Sequence, residues 1–199
     1  MALLATTKLE AVNMMLSCIG EAPVTTLGVD TIEDASMAET ILDQVSREVQ
    51  NIGWHFNTDY DYGLSVDGNG KIPYPTTAAH VDAMPSECKD VVKRGAFLYD
   101  RENHTLVFTG LTSLKCKVRW LFDYEDLPLA FRSWIALRAA KRFAKQIMGD
   151  EATVQYSSED ELDAKVEAVA DDLRRADHNM LTDNYTTYKV VGRTPSWRG

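Results

Sequence analysis

The chain has 199 residues, of which 45% are hydrophobic and 26% are charged, and its formal net charge is −9. This length and composition predict one globular domain, or one domain with a sizeable insertion, and exclude a disordered chain. The acidic balance argues against a protein that grips nucleic acid, because neutralising phosphates requires a basic surface, but it allows a conduit through which DNA slides.

Three cysteines occur, Cys18, Cys88 and Cys116, and none lies within metal-ligand spacing of another. An odd and sparse set argues against a disulfide framework and predicts reduced, mostly buried thiols made in a cytoplasm. Residues 1–7 lack the basic and apolar regions of a signal peptide. No apolar stretch approaches the about 20 residues of a membrane span, so we expect no membrane insertion.

The first predicted helix begins after Thr7, which has the spacing of a capping box with Glu10. We predict that it ends at Gly20, because glycine readily adopts the left-handed backbone conformation that terminates helices, and that Pro23 prevents the helix from continuing. A second helix is predicted to begin near Thr31, where acids suit the positive end of a helix dipole, and to end at Gly53. The two apolar stripes follow helical spacing: Leu9, Val12, Leu16 and Ile19 in the first, and Met37, Ile41, Val45, Val49 and Ile52 in the second.

Residues 54–123 change to the period of strands. Alternation predicts a strand at residues 62–66, and the sequence DGNG at 67–70 predicts a tight turn. Residues 72–75, IPYP, are predicted to return as its partner, at an edge because proline cannot donate to a ladder. Further strands are predicted at residues 91–92 and 97–99. After a polar turn, residues 105–108 are predicted to pair with the strand at residues 97–99.

The clearest strand is predicted from Leu114 to Phe122. Its apolar side chains point one way: Leu114, Cys116, Val118, Trp120 and Phe122. Its basic side chains point the other way: Lys115, Lys117 and Arg119. This alternation indicates a half-buried antiparallel strand.

Helical spacing then returns. Pro128 suits the first turn of a third helix, which Gly149 ends, and its stripe is Phe131, Ile135, Ala139, Phe143 and Ile147. A fourth helix is predicted from about Ser158 to Met180. Its apolar residues form a heptad-like seam, which indicates a helical partner: Leu162, Val166, Val169, Leu173, Ala176 and Met180.

Residues 182–199 form an arm without a helical stripe. The arm contains one acid in an otherwise acidic chain, and it concentrates aromatic and basic side chains, which anchor protein interfaces. We expect it to bind a partner molecule rather than its own domain. The predicted partner-binding residues are Tyr185, Tyr188, Lys189, Arg193, Trp197 and Arg198.

These elements predict an α+β fold: a four-helix bundle with an inserted small antiparallel β-sheet and an extended C-terminal arm. Residues 1–53 hold helices 1 and 2 of the bundle, and residues 54–124 form the inserted antiparallel β region. Residues 125–181 hold helices 3 and 4, and residues 182–199 are the arm.

Close-spaced acids are the main catalytic candidates. Asp123, Glu125 and Asp126 could supply the carboxylate pair of a glycoside hydrolase. The favoured interpretation is that they cap a turn and the helix start at Pro128, where acids are stabilising. His55 is expected to be a partly buried, hydrogen-bonded histidine. No zinc spacing, phosphate-binding loop, dinucleotide fingerprint or nucleophile elbow occurs, so we predict no metal and no cofactor.

The third predicted helix has no acid but five bases: Arg132, Arg138, Lys141, Arg142 and Lys145. They could form a phosphate-facing stripe. The favoured interpretation is that they pair with the acids between residues 150 and 163, within the subunit or between subunits.

Several motifs, in order along the chain, resemble the tail tubular protein A family of short-tailed, T7-like bacteriophages. Residues 11–27, AVNMMLSCIGEAPVTTL, resemble the pattern A-V-N-x-x-L-x-x-I-G-E-x-P-V-x-T-L, and residues 53–57, GWHFN, resemble G-W-x-F-N. Residues 123–135, DYEDLPLAFRSWI, resemble D-Y-x-x-x-P-x-x-F-R-x-W-I. Residues 95–101, GAFLYDR, resemble G-x-x-Y-D-R with one more residue before the tyrosine, and residues 179–181 resemble N-M-L.

The resemblance implies a structural protein of the virion tail, made in the host bacterial cytoplasm. It implies a dodecameric ring that joins the phage portal protein to the tail nozzle (tail tubular protein B), with tail fibres attached near that junction and DNA passing without specific binding. The alternative that the residues leave open is a virion-associated glycoside hydrolase acting on capsular or cell-wall polysaccharide. The favoured expectation is a protein without enzymatic activity.

Overall fold

A computed structural model describes residues 7–28, 32–149 and 158–175. The four helices are α1 (Lys8–Cys18), α2 (Glu33–Gln50), α3 (Leu129–Met148) and α4 (Ser158–Arg175). The five strands are β1 (Thr58–Ser65), β2 (Ala78–Ala83), β3 (Val91–Arg94), β4 (Phe97–Asp100) and β5 (Ser113–Trp120). The predicted α+β class is confirmed, with the strands inserted between α2 and α3.

The start of α1 has the predicted capping box. The hydroxyl of Thr7 accepts from the backbone N–H of Glu10, and the Glu10 carboxylate accepts from the backbone N–H of Thr7. The start of α2 differs, because Ile32 is its N-cap and makes no side-chain capping bond. Thr31, the predicted start, lies outside the described residues.

The sheet pairing differs from the prediction around β1. The partner of β1 is β5, which lies at the centre of a three-stranded antiparallel sheet in the order β1-β5-β2. Residues 72–75 do not return onto β1. Instead Leu98 donates to the carbonyl of Ile72 and Tyr74 donates to the carbonyl of Ala96, so this segment lies along the β3–β4 hairpin.

Two further details of the β region also differ from the sequence prediction. Strand β2 was not predicted, because its sequence, AAHVDA, has small residues where a strand pattern would have large ones. The predicted return of residues 105–108 is limited to one bridge between Thr105 and Asp100. The strands predicted at residues 91–92 and 97–99 are confirmed as β3 and β4, which pair with each other in a hairpin with Gly95 in the left-handed region at its turn.

The buried side chains form two separate clusters. One unites α1, α2, α3 and Ala168 of α4, and its largest fully buried side chains are Trp134, Phe131 and Phe143. The other lies under the strands, around Leu98, Leu114 and Cys116. Helix α3 contacts all three other helices, which explains why nearly its whole circumference is buried.

The position of Trp54, Trp120 and Trp134 within or after apolar patterns predicts that all three belong to the core joining the helices to the sheet, and this prediction is wrong in part. Trp134 and Trp54 belong to the helical cluster, whereas Trp120 packs on the strand cluster and donates to the Asp59 carboxylate. The helices and strands are joined instead through buried amides. Gln50 exchanges hydrogen bonds of 2.8 and 3.0 Å with the backbone of Phe122.

Asn57 completes this junction. Its side-chain N–H groups donate to the carbonyls of Gln50 and Trp120 at 2.9 Å, and its side-chain oxygen accepts from the backbone N–H of Trp54 at 2.8 Å. Asn57 is fully buried. One side chain therefore ties the end of α2 to the last residue of β5.

We expect Asn57→Ala to lower the free energy of unfolding by about 2 to 3 kcal/mol, because it leaves buried backbone groups without hydrogen-bond partners. Urea denaturation followed by circular dichroism measures this change. The matched control is His55→Ala, because His55 is an exposed neighbour and should change stability by no more than about 0.5 kcal/mol. Equal effects of the two substitutions would contradict the proposed junction.

Candidate functional site

A groove of about 710 Å³ lies between the start of α1, helix α2 and the segment that leads into α3. Its charged lining comprises four acids and two bases: Glu39, Asp43, Asp123, Glu125, Lys8 and Arg47. Lys8, Glu39 and Asp43 are not recognisable as a group in the sequence, because only the packing of α1 on α2 brings them together.

Lys8 organises the acids of this groove. Its Nζ lies 2.8 Å from Glu39 and 3.0 Å from Asp43. Burial alone would lower the pKa of Lys8, but these two carboxylates outweigh burial and raise it. Both carboxylates are therefore engaged in holding α1 onto α2, which is a structural role.

The candidate catalytic acids lie in the 3₁₀ turn Tyr124–Asp126 and directly before it, and all three are exposed. Asp123 and Glu125 line the groove. The expectation that these acids cap the helix start at Pro128 is wrong, because neither this turn nor α3 has a side-chain capping bond. Glu125 instead accepts from the backbone N–H of Lys8 at 3.3 Å, so its negative charge lies at the positively polarised N-terminus of α1.

His55 is exposed, rather than partly buried as expected, and only its backbone N–H makes a described hydrogen bond, to Asp172. The flanking rings of Trp54 and Phe56 turn inward against Phe131. Within residues 7–28, 32–149 and 158–175, no group of three or more histidine, cysteine or acidic side chains could hold a metal ion.

The bases of α3 form ion pairs within the subunit. Lys141 lies 3.1 Å from Glu161, a pairing that the sequence analysis favoured. Arg138 and Arg142 pair instead with Glu48 of α2, at 3.6 and 2.7 Å. These contacts engage bases that could otherwise form a phosphate-facing stripe.

Helix α4 buries a different face from the one expected. The face that packs on α3 carries small side chains, with Ala168 fully buried and Ala164 partly buried. The predicted heptad-like seam points outward: Leu162, Val166 and Leu173 are 57%, 60% and 57% exposed. Val169, also of the seam, is half-buried, and the last two members, Ala176 and Met180, lie outside the described residues. The seam is thus a candidate contact surface of the subunit.

The outer face of the β1-β5-β2 sheet is basic. The alternation of β5 places Lys115, Lys117 and Arg119 there, opposite the buried Leu114, Cys116 and Val118, as predicted. Lys117 lies 4.8 Å from the ring centre of Tyr60, which is 62% exposed. Arg and Tyr side chains are typical anchors of protein interfaces.

The predicted partner-binding residues of the arm lie outside the described residues, so their assignment stays a prediction. They are Tyr185, Tyr188, Lys189, Arg193, Trp197 and Arg198. Among the described helices, none combines the length and the apolar character that a bilayer crossing requires.

The three cysteines are free thiols in different environments. Cys116 is buried, and burial, with the charges of Glu87 and Asp82, raises its pKa to about 12. Cys18 is half-buried, and burial raises its pKa as well. Cys88 is exposed, which corrects the expectation that the thiols are mostly buried.

We therefore expect iodoacetamide at pH 8 to alkylate Cys88 first and to leave Cys116 unmodified in the folded protein. With a pKa of about 12, the thiolate fraction of Cys116 is roughly 1,000-fold below that of an ordinary thiol. Peptide mass spectrometry over time measures the order of modification. Unfolding in urea is the control, since it should equalise the three rates; alkylation of Cys116 before Cys88 in native buffer would contradict the structure.

The motif residues of the sequence have defined roles in the fold. Asn13 exchanges two hydrogen bonds with the backbone of Val24, at 2.8 and 3.0 Å, and so fixes the turn after α1. A Cβ at Gly53 would lie 2.6 Å from the Arg119 side chain. Tyr124 is buried and donates to the carbonyl of Arg132. Residues 179–181 lie outside the described residues.

Comparison with known proteins gives one family. A family model described as "Tail tubular protein" matches residues 9–178. No curated protein matches the chain. The matched span includes all the described helices and strands except the first residue of α1.

Proposed function

The chain belongs to the tail tubular protein family of bacteriophage tail components, and from this membership we propose that it forms the adaptor ring between the phage portal and the tail nozzle. The ring would line the exit channel for DNA and support the attachment of tail fibres. The family match over residues 9–178 is the observation that carries this proposal.

The surfaces of the subunit support the proposal. The exposed seam of α4 and the basic outer face of the sheet are different surfaces of one chain. A subunit with two different contact surfaces joins its neighbours head to tail, and such contacts close into a ring when the rotation allows it. The net charge of −9 suits a channel that passes DNA without retaining it.

Electron microscopy of the purified protein mixed with the portal and nozzle proteins tests the adaptor role. We expect a ring, dodecameric as in the family, between the two partners. The portal and nozzle proteins without this chain are the control and should not join. Joining without this chain, or no binding of this chain to either partner, would contradict the adaptor function.

The arm, residues 182–199, is proposed to dock on a neighbouring subunit or on the portal. It is aromatic and basic while the chain as a whole is acidic, so neighbouring subunits offer it complementary charge. A chain truncated after Leu181 should keep its helix content by circular dichroism but fail to assemble in the mixture described above. Normal assembly of the truncated chain would remove the arm from this role.

The same preparations address the hydrolase alternative. We expect no polysaccharide cleavage that depends on Asp123, Glu125 or Asp126. The contradicting result would be cleavage by the wild-type protein that is lost in Asp126→Asn while the circular dichroism spectrum is unchanged. Such a result would assign the exposed acids of the turn a catalytic role.

A further inference from the structure

Helix α4 carries an exposed apolar stripe for which the described residues offer no cover. Leu162, Val166 and Leu173 are each more than half exposed, and their spacing of four and seven residues keeps them on one face. Contiguous apolar surface on a soluble protein marks an interaction site more often than isolated apolar residues do.

The charges beside this stripe restrict what can cover it. Glu159, Asp163 and Glu167 follow one another at intervals of four residues, and all three are exposed. Within the described residues none of them has an ion-pair partner. Two α4 helices facing each other would bring these acids together, so a symmetric α4–α4 contact is disfavoured. The complementary surface must be basic.

The outer face of the β1-β5-β2 sheet has a net positive charge, because β5 places three bases on it and β2 places one acid, Asp82, opposite Lys117. Lys115, Lys117 and Arg119 alternate along β5, and in the described part of the chain none of them forms an ion pair with a carboxylate. Arg119 donates to the carbonyl of Asn51 at 2.6 Å, and Lys117 lies over the ring of Tyr60. The exposed ring of Tyr60 adds apolar area beside the bases.

The dimensions of the two surfaces agree. Helix α4 has 18 residues and β5 has 8, so each is about 27 Å long at rises of about 1.5 and 3.4 Å per residue. Acids spaced by four helical residues recur every ~6 Å, and bases spaced by two strand residues recur every ~7 Å. Three acids can therefore face three bases along one line.

We propose that the outer face of α4 docks on the basic outer face of the β1-β5-β2 sheet of a second copy of this chain. Leu162, Val166 and Leu173 pack on Tyr60 and on the aliphatic stems of the bases, and the acids of α4 pair with those bases. The contact is head to tail, so each copy presents one surface to each neighbour. The inference rests on the proposed ring function, for which it names the subunit contact.

Charge reversal of each surface tests the contact. The sheet variant is Lys115→Glu with Lys117→Glu, and the helix variant is Glu159→Lys with Asp163→Lys. Self-association is measured by sedimentation velocity over a range of protein concentrations, together with the ring assay with portal and nozzle proteins. The control matched to the sheet variant is Lys71→Glu with Lys93→Glu, which makes the same change of net charge at the β3–β4 hairpin. Circular dichroism and thermal melting confirm that each variant folds.

We expect each single-surface variant to weaken self-association by about 100-fold or more, because like charges then face each other. The control should associate as the wild type does. A chain carrying both reversals should associate again, and so should an equimolar mixture of the two variants, because every contact then joins opposite charges. This rescue identifies the pair of surfaces, which loss of assembly alone would not do.

Three results would overturn the inference. The first is wild-type association in both single-surface variants, the second is folded variants that the combined reversal fails to rescue, and the third is a wild-type protein that does not self-associate. If the ring between portal and nozzle still forms in the first two cases, the adaptor function stands and only the contact is wrong. If the chain binds neither portal nor nozzle, the proposed function itself fails.

Discussion

Trp134→Ala is expected to lower the free energy of unfolding by about 3 to 5 kcal/mol, the range for removing a buried large aromatic side chain. Trp134 is 1% exposed and lies in the helical cluster. Its ring contacts Trp54 with ring centres 5.8 Å apart and Phe131 at 6.3 Å. Since α3 contacts every other helix, a cavity at this position weakens packing across the whole helical part.

Thermal and urea denaturation of Trp134→Ala measure this loss. Trp134→Phe is the matched control, because it keeps an aromatic ring and removes an indole N–H that has no hydrogen-bond partner in the described structure. Its cost should be well below that of the alanine variant. A melting temperature of Trp134→Ala within experimental error of the wild type would contradict the assigned core.

Asp100→Ala is expected to lower the free energy of unfolding by about 3 kcal/mol at neutral pH, because it removes a buried carboxylate that accepts hydrogen bonds from several donors. Asp100 is 2% exposed. It accepts from the backbone N–H groups of Glu102 and Asn103 at 2.9 and 3.0 Å, from the Asn103 side chain at 2.9 Å, and from Lys89 at 3.3 Å. These bonds shape the turn after β4.

The effect of Asp100 should depend on pH. Burial alone would raise the pKa of this carboxyl, but the hydrogen bonds from Asn103 and Lys89 and the charge of Lys89 outweigh burial and lower it. A group whose pKa is lower when folded contributes stability above its unfolded pKa, about 3.9 for aspartate. That contribution is lost as the pH falls through the folded pKa. The difference between wild type and variant should therefore shrink below about pH 4.

Urea denaturation at pH 7 and at pH 3 measures this dependence. Asp90→Ala is the matched control, because Asp90 is a half-exposed acid whose ion pair with Arg101 is expected to contribute no more than about 1 kcal/mol. Asp100→Asn keeps an acceptor oxygen and should cost less than Asp100→Ala while losing the pH dependence. A difference between Asp100→Ala and wild type that is equal at both pH values would contradict the assigned role of the charge.

Local patterns determined most of the helices and several strands. The capping box at Thr7 forms because donor and acceptor lie three residues apart, a distance fixed by the backbone alone. The alternation along β5 predicted its buried and exposed faces, because side chains of a strand point to opposite sides. Pro128 and Gly149 bracket α3 as predicted, since proline fixes its own φ and glycine adopts the positive φ of 82° found at the end of this helix.

The tertiary structure alone decided which elements meet. Strand β1 pairs with β5 across nearly fifty residues of chain, and Glu125 accepts from the first backbone N–H of α1 rather than from the helix next to it in sequence. Helix α4 is a further case in which the tertiary structure decided the contact. Its periodicity gave an apolar seam, but α3 accepts the small side chains of Ala164 and Ala168, because they allow close helix packing, and the seam is left outside. A periodic pattern shows that side chains share a face, whereas the shape of the neighbouring surface decides which face is buried.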